Sequence, residues 1–124
     1  MQLLLDAHVV IWFLSNPGRL RPTTLEEIQN PDNEIFVSTA SLLEITAKAA
    51  TGRLIFDDEM RADIETISTW LPVAAEHALR VQTLPPIHKD PFDRVIVAQA
   101  LIERMILVTS DRILGDYHVP ILLA

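Results

Sequence analysis

Apolar and polar positions along this chain fall into short blocks whose lengths and periods suggest alternating strands and helices. Residues 2–5 (QLLL) form a brief apolar run that Asp6 ends, which predicts a first strand. Residues 7–14 stay apolar for two turns and predict a helix. Asn16, Pro17, Gly18 and Pro22 punctuate 15–22 as a loop. A short helix is predicted over 23–30, capped by Thr23 or Thr24 and ended by Asn30 and Pro31. The β-branched and aromatic run Glu34–Ser38 predicts a strand. A helix follows over 39–52, with Thr39 or Ser41 as cap and Gly52 as stop. Another is predicted over 57–70, where Met60, Ile64 and Ile67 share a face. Residues 71–75 predict a short strand, and 75–84 a helix stopped by Pro85 and Pro86. Pro91–Glu103 predicts a helix, 105–111 a strand ending in polar residues, and 119–123 a last strand.

Strands that alternate with helices predict an α/β protein, a three-layer α/β/α sandwich around a mainly parallel sheet with right-handed crossovers. No repeat, low-complexity tract or linker divides the 124 residues, so one domain over 1–124 is expected. A hydrophobic fraction of 49% supplies a core and argues against disorder. The chain has no cysteine, which removes disulfides, thiolate metal sites and cysteine nucleophiles and suits a reducing compartment. The N-terminal run lacks a basic segment and is broken by Asp6, unlike a signal peptide. The longest apolar run, residues 9–14, is far below the ~20 residues of a spanning helix. A soluble cytoplasmic protein is the expectation. The 3 glycines form no phosphate-cradling loop.

The acids change this picture. In parallel sheets, sites lie beyond the carboxyl ends of strands. Asp6 directly follows the first strand, and Asp111 follows the strand ending at 108–109. Glu44 lies early in the helix that leaves the second strand, and Asp93 in the first turn of helix 91–103. Helices that start after strands begin at the same edge, so four carboxylates from four segments can converge. Like charges brought together repel unless a cation holds them, and oxygen ligands suit Mg²⁺ or Mn²⁺. The net charge of −7 argues against a general polyanion binder, but two bound divalent cations bring it to about −3. Arg94, Arg112 and Lys89 adjoin the acids and could meet phosphate groups or be solvated surface charge.

Plainer roles exist for each acid. Asp6 can cap the next helix. Ser41 and Glu44 have capping-box spacing, with Lys48 four residues on. Asp90 reads as an N-cap, since Pro91 then takes the first helical position. Asp111 can be an ordinary turn residue. Asp93, however, shares a helical face with Ile96, Val97 and Ala100, where a surface acid does not belong. His8, His77, His88 and His118 show no metal-type spacing. His8 lies close enough to Asp6 to touch a substrate, and Trp12 reads as core or dimer surface.

The residues LLLDAHVVIWFL, SLLEITAKAATGRL, HKDPFDRVIVAQA and LVTSDRIL, in that order, resemble the four motifs of PIN-domain proteins, and more closely of VapC-type toxin ribonucleases from bacterial toxin–antitoxin modules. The resemblance covers nearly the whole chain. It implies a PIN-like fold, endonucleolytic cleavage of RNA with Mg²⁺ or Mn²⁺, a homodimer and a cognate antitoxin. It implies Asp6 and Asp93 as metal ligands, with Glu44 and Asp111 completing the acidic pocket. Thr109 would orient a ligand or water beside Asp111. Ala7 departs from the hydroxyl residue common after the first acid. The competing expectation is a non-catalytic signalling or partner-binding module. A receiver-like domain has similar length and element order, but needs an acid pair after the first strand and an acceptor Asp after the third.

Overall fold

The structure is a computed structural model that describes all of residues 1–124. Five strands form one sheet: β1 (Gln2–Leu5), β2 (Glu34–Ser38), β3 (Thr69–Leu71), β4 (Ile106–Thr109) and β5 (Ile121–Leu123). Every pairing is parallel, and the order across the sheet is β3-β2-β1-β4-β5. Leu3 of β1 lies opposite Ile35 on one side and Ile106 on the other. The helices are α1 (Ala7–Ser15), α2 (Pro22–Gln29), α3 (Thr39–Ala50), α4 (Asp58–Ile67), α5 (Ala75–Val81) and α6 (Pro91–Glu103).

The pleat of β1 sorts its leucines between two cores. Leu3 and Leu5 pack with Val9 and Val10 of α1, Ile28 of α2 and Ile64 of α4. Leu4 points the other way, against Ile96, Val97 and Ala100 of α6 and Leu107 of β4. All three leucines are fully buried. With an apolar layer on each face of the sheet, the molecule is the three-layer sandwich expected, and a central strand buried on both faces reads as a continuous apolar run. No helix is long and apolar enough to cross a membrane.

Several boundaries move. Helix α2 starts at Pro22, which supplies a preset φ at the first helical position, and no side chain caps it. Thr24 is instead fully buried, with its hydroxyl donated to the carbonyl of Leu123. Helix α3 is capped by Ser38, whose Oγ accepts from the Ala40 N–H at 3.0 Å. Neither Thr39 nor Ser41 caps it, so the Ser41–Glu44 box does not form. The strand expected over 71–75 lies two residues earlier, where Thr69–Leu71 pairs with Phe36–Ser38.

Candidate metal centre at the β1 and β4 edge

After β2 and β3 are laid down on one side of β1, the chain crosses to the other side to place β4. Strand order reverses there, leaving a crevice outside the carboxyl ends of β1 and β4. Asp6 occupies that point. It is the N-cap of α1, where its Oδ1 accepts from the Val9 N–H at 2.9 Å. Its Oδ2 accepts from the hydroxyl of Thr109, the last residue of β4. The cap foreseen for Asp6 therefore forms, and the same buried carboxylate also accepts from β4. Burial pushes the Asp6 pKa up, while the hydrogen bonds from Thr109 and Val9 oppose that shift.

Thr109 ties the site together. Its Oγ1 also accepts the Asp111 N–H at 3.1 Å, so one buried hydroxyl links the acid after β1 to the turn after β4. Asp111 caps the following 3₁₀ turn by accepting from Ile113 N–H at 3.0 Å. Asp93 sits in the first turn of α6, above buried Ile96 and Val97. Its pKa is pushed up to about 6, first by burial, then by the negative charge of Asp90, with Asp6 and Glu44 adding to the effect; His88 pulls the other way. Glu44 also raises Asp6. The charge of Glu44 thus bears on both Asp6 and Asp93, and Asp111 joins them through Thr109 and His88. Glu44 is held by Lys48, Nζ to Oε2 at 3.0 Å.

A model of the PIN domain family matches residues 3–119. The chain belongs to that family. This PIN domain is 31% identical over 128 residues to "Ribonuclease VapC22" of Mycobacterium tuberculosis, a match that covers 94% of this chain and 92% of that protein. Its fold superposes on DNA-bound VapBC from Salmonella typhimurium with a TM-score of 0.71 at 16% identity, covering 98% of this chain and 97% of that one. It superposes on a toxin-antitoxin complex from Klebsiella pneumoniae with a TM-score of 0.58 at 21% identity, covering 88% and 86%.

Two basic side chains of the PIN domain differ from expectation. Arg94, expected at RNA phosphate, has both terminal nitrogens turned into the protein. They donate to the carbonyls of Val81 at 2.8 Å, Pro85 at 2.9 Å, Leu84 at 3.3 Å and His88 at 3.4 Å, and to the Tyr117 hydroxyl at 3.3 Å. A planar guanidinium satisfies such a loop of carbonyls well, and that leaves it unsuited to a phosphate. Arg112 and Lys89 remain exposed beside the acids. His88, whose spacing gave no signal, lies inside the site: its Nε2 is 3.5 Å from Asp93 Oδ2 and 3.2 Å from Asp111 Oδ2. The ligand-type atoms of His88, Asp93 and Asp111 all lie within 4.8 Å of one another. The only sequence hint was its position two residues before the Asp90 cap.

The donor set fits a hard divalent cation. It holds carboxylates, two of them raised by burial and by acidic neighbours, and no sulfur ligand. The receiver-like alternative loses its acceptor, because β3 is followed by Pro72, Val73 and Ala74 rather than an acid. Beside Glu44, a cleft of about 220 Å³ lined by His8, Ile11, Lys48 and Arg53 opens from the site.

Proposed function

We propose that this PIN domain, one unit over residues 1–124, is a Mg²⁺- or Mn²⁺-dependent endoribonuclease and the toxin of a cytoplasmic toxin–antitoxin pair. The observation that carries the reading is the gathering of Asp6, Glu44, Asp93 and Asp111, from four separate segments, at the strand-order reversal between β1 and β4. The 31% identity to a protein named a ribonuclease supports RNA as the substrate. The structural neighbours, toxin–antitoxin complexes by name, support an antitoxin as partner, and a homodimer is part of the same reading.

Asp6 and Asp93 would hold the cation, with Glu44 and Asp111 completing the acidic pocket. A bound divalent ion supplies a more acidic water and neutralises charge on the phosphate during phosphodiester hydrolysis. The chain's own residues prepare the ground for this. Thr109 fixes the Asp6 carboxylate by donating to Oδ2, and the N-terminus of α1 fixes it through Oδ1. Lys48 keeps Glu44 directed and offsets part of the local charge. Exposed Arg112 and Lys89 would meet phosphates flanking the cleaved bond, adding affinity without reading bases. Ala7 offers no hydroxyl beside Asp6, so Thr109 is the hydroxyl donor to that carboxylate.

The test is cleavage of end-labelled RNA by purified protein. Internal cuts should appear with Mg²⁺ or Mn²⁺, vanish with EDTA, and be absent for Asp93→Asn with an unchanged circular dichroism spectrum. Equal cutting by Asp93→Asn places the chemistry elsewhere.

A further inference from the structure

Within the ribonuclease reading, on which this inference rests, we propose that His88 is a positioning residue: it braces Asp93 and Asp111 with a shared Nε2–H and does not itself bind the metal. Every other polar atom of the residue is already committed. Its backbone N–H donates to the Tyr117 hydroxyl at 2.7 Å. Its carbonyl accepts from Arg94 at 3.4 Å. Its ring Nδ1 accepts from the Asp90 N–H at 3.1 Å. A ring nitrogen that accepts carries no proton, so the imidazole proton sits on Nε2. That nitrogen faces Asp93 Oδ2 and Asp111 Oδ2. Ligating a cation through Nε2 would require the proton to move to Nδ1, where it would confront the Asp90 N–H.

The brace sets the two carboxylates relative to each other. Asp111 has Oδ1 on the Ile113 N–H, and its Oδ2 lies 3.2 Å from His88 Nε2. Asp93 Oδ2 lies 3.5 Å from the same nitrogen, so one ring bears on the orientation of both carboxylates. The loop that carries His88 is built for this duty: Arg94 bonds the carbonyls of Val81, Leu84, Pro85 and His88, and Tyr117 holds both Arg94 and the His88 N–H. The arginine that follows Asp93 in sequence thus fixes the histidine that orients Asp93.

The experiment measures Mn²⁺ binding to the full chain by titration calorimetry and by electron spin-echo spectroscopy. In the parent protein the spin-echo signal should show no directly coordinated nitrogen. His88→Ala should weaken Mn²⁺ about 10-fold or more, the effect expected when a partner of a metal ligand is lost. His88→Gln, which offers an amide N–H near the Nε2 position but no imidazole, should recover most of that affinity. A ¹⁴N coupling from a coordinated imidazole overturns the proposal, as does His88→Ala binding Mn²⁺ as well as the parent or His88→Gln binding as poorly as His88→Ala. The spin-echo arm uses the unaltered chain and so stands even if a variant misfolds. If the parent binds no Mn²⁺ at all, the ribonuclease reading itself fails and takes the His88 role with it; nitrogen coordination with intact cleavage removes the His88 role alone.

Discussion

Asp93 is a residue whose placement works against the fold and for the chemistry. Its carboxyl is raised from 3.8 to about 6 in the metal-free protein, foremost by burial. An acid raised on folding stabilises the native state least when ionised, so stability falls as pH rises from about 4 to about 6 and stays lowered above that. Asp93→Asn removes this penalty. With solvent screening the gain is about 1 kcal/mol at pH 7.5 in EDTA, or about 4 °C in melting temperature, fading below pH 4. Thermal melts of the two proteins across that range check it; an Asn variant that melts lower at neutral pH contradicts the account. Metal binding must also displace the Asp93 proton. Apparent Mn²⁺ affinity should hold steady above pH 7 and drop steeply below about pH 6, and calorimetry in two buffers should detect proton release near pH 6. The raised position of Asp93 was legible from its place on an apolar helical face. Arg94 and His88 were misjudged for a shared reason. Arg94 adjoins an acid in sequence, yet its partners are carbonyls up to 13 residues away. His88 meets Asp111, 23 residues on in the chain, and local spacing carries no trace of such a contact.

At the scale of elements, α6 shows how one helix start serves both stability and the site. Asp90 caps it by accepting from the Phe92 N–H at 2.8 Å, Pro91 fills the first turn, and the Asp90 N–H steadies His88. Asp90 also repels Asp93. Asp90→Ala should lose about 1 kcal/mol of stability from the cap, partly offset by the repulsion it relieves. Asp90→Asn keeps a capping oxygen and should match the parent in denaturant unfolding, while the Asp93 titration midpoint moves down by carbon-detected NMR. An unmoved midpoint would show that the two carboxylates do not sense each other. The helix was readable because cap, proline and apolar run agree. Strand β3 was not, because Thr69–Leu71 continues the polar-apolar rhythm of α4 and only pairing with Phe36–Ser38 selects strand. Ser38 likewise ends β2 and caps α3, a double duty that sequence assigns to the strand alone.

For the molecule as a whole, alternating elements forecast a parallel sheet but not the order of its strands. That order puts β1 at the centre, with Asp6 at the reversal, and it is set by burial of Leu3, Leu4 and Leu5 on two faces. The acids could be nominated from strand ends; their meeting needed the topology. The consequence is a fold held together against its own charge. A net charge of −7, with Glu44 raising Asp6 and both raising Asp93, makes the metal-free protein self-repelling there. A cation that binds only the native pocket stabilises it by mass action, about 2.7 kcal/mol at 100 times its dissociation constant. For a chain of this length that corresponds to roughly 10 °C in melting temperature. Mn²⁺ should produce such a rise in the parent at pH 7.5, with monovalent salt at equal ionic strength producing far less, since partly buried charges are weakly screened. Asp93→Asn should begin from a higher melting temperature in EDTA and respond little to Mn²⁺, so the two melting curves cross as metal is added. Parallel curves would mean that the ion stabilises the protein at some other place, and that the pocket between β1 and β4 is not where it binds.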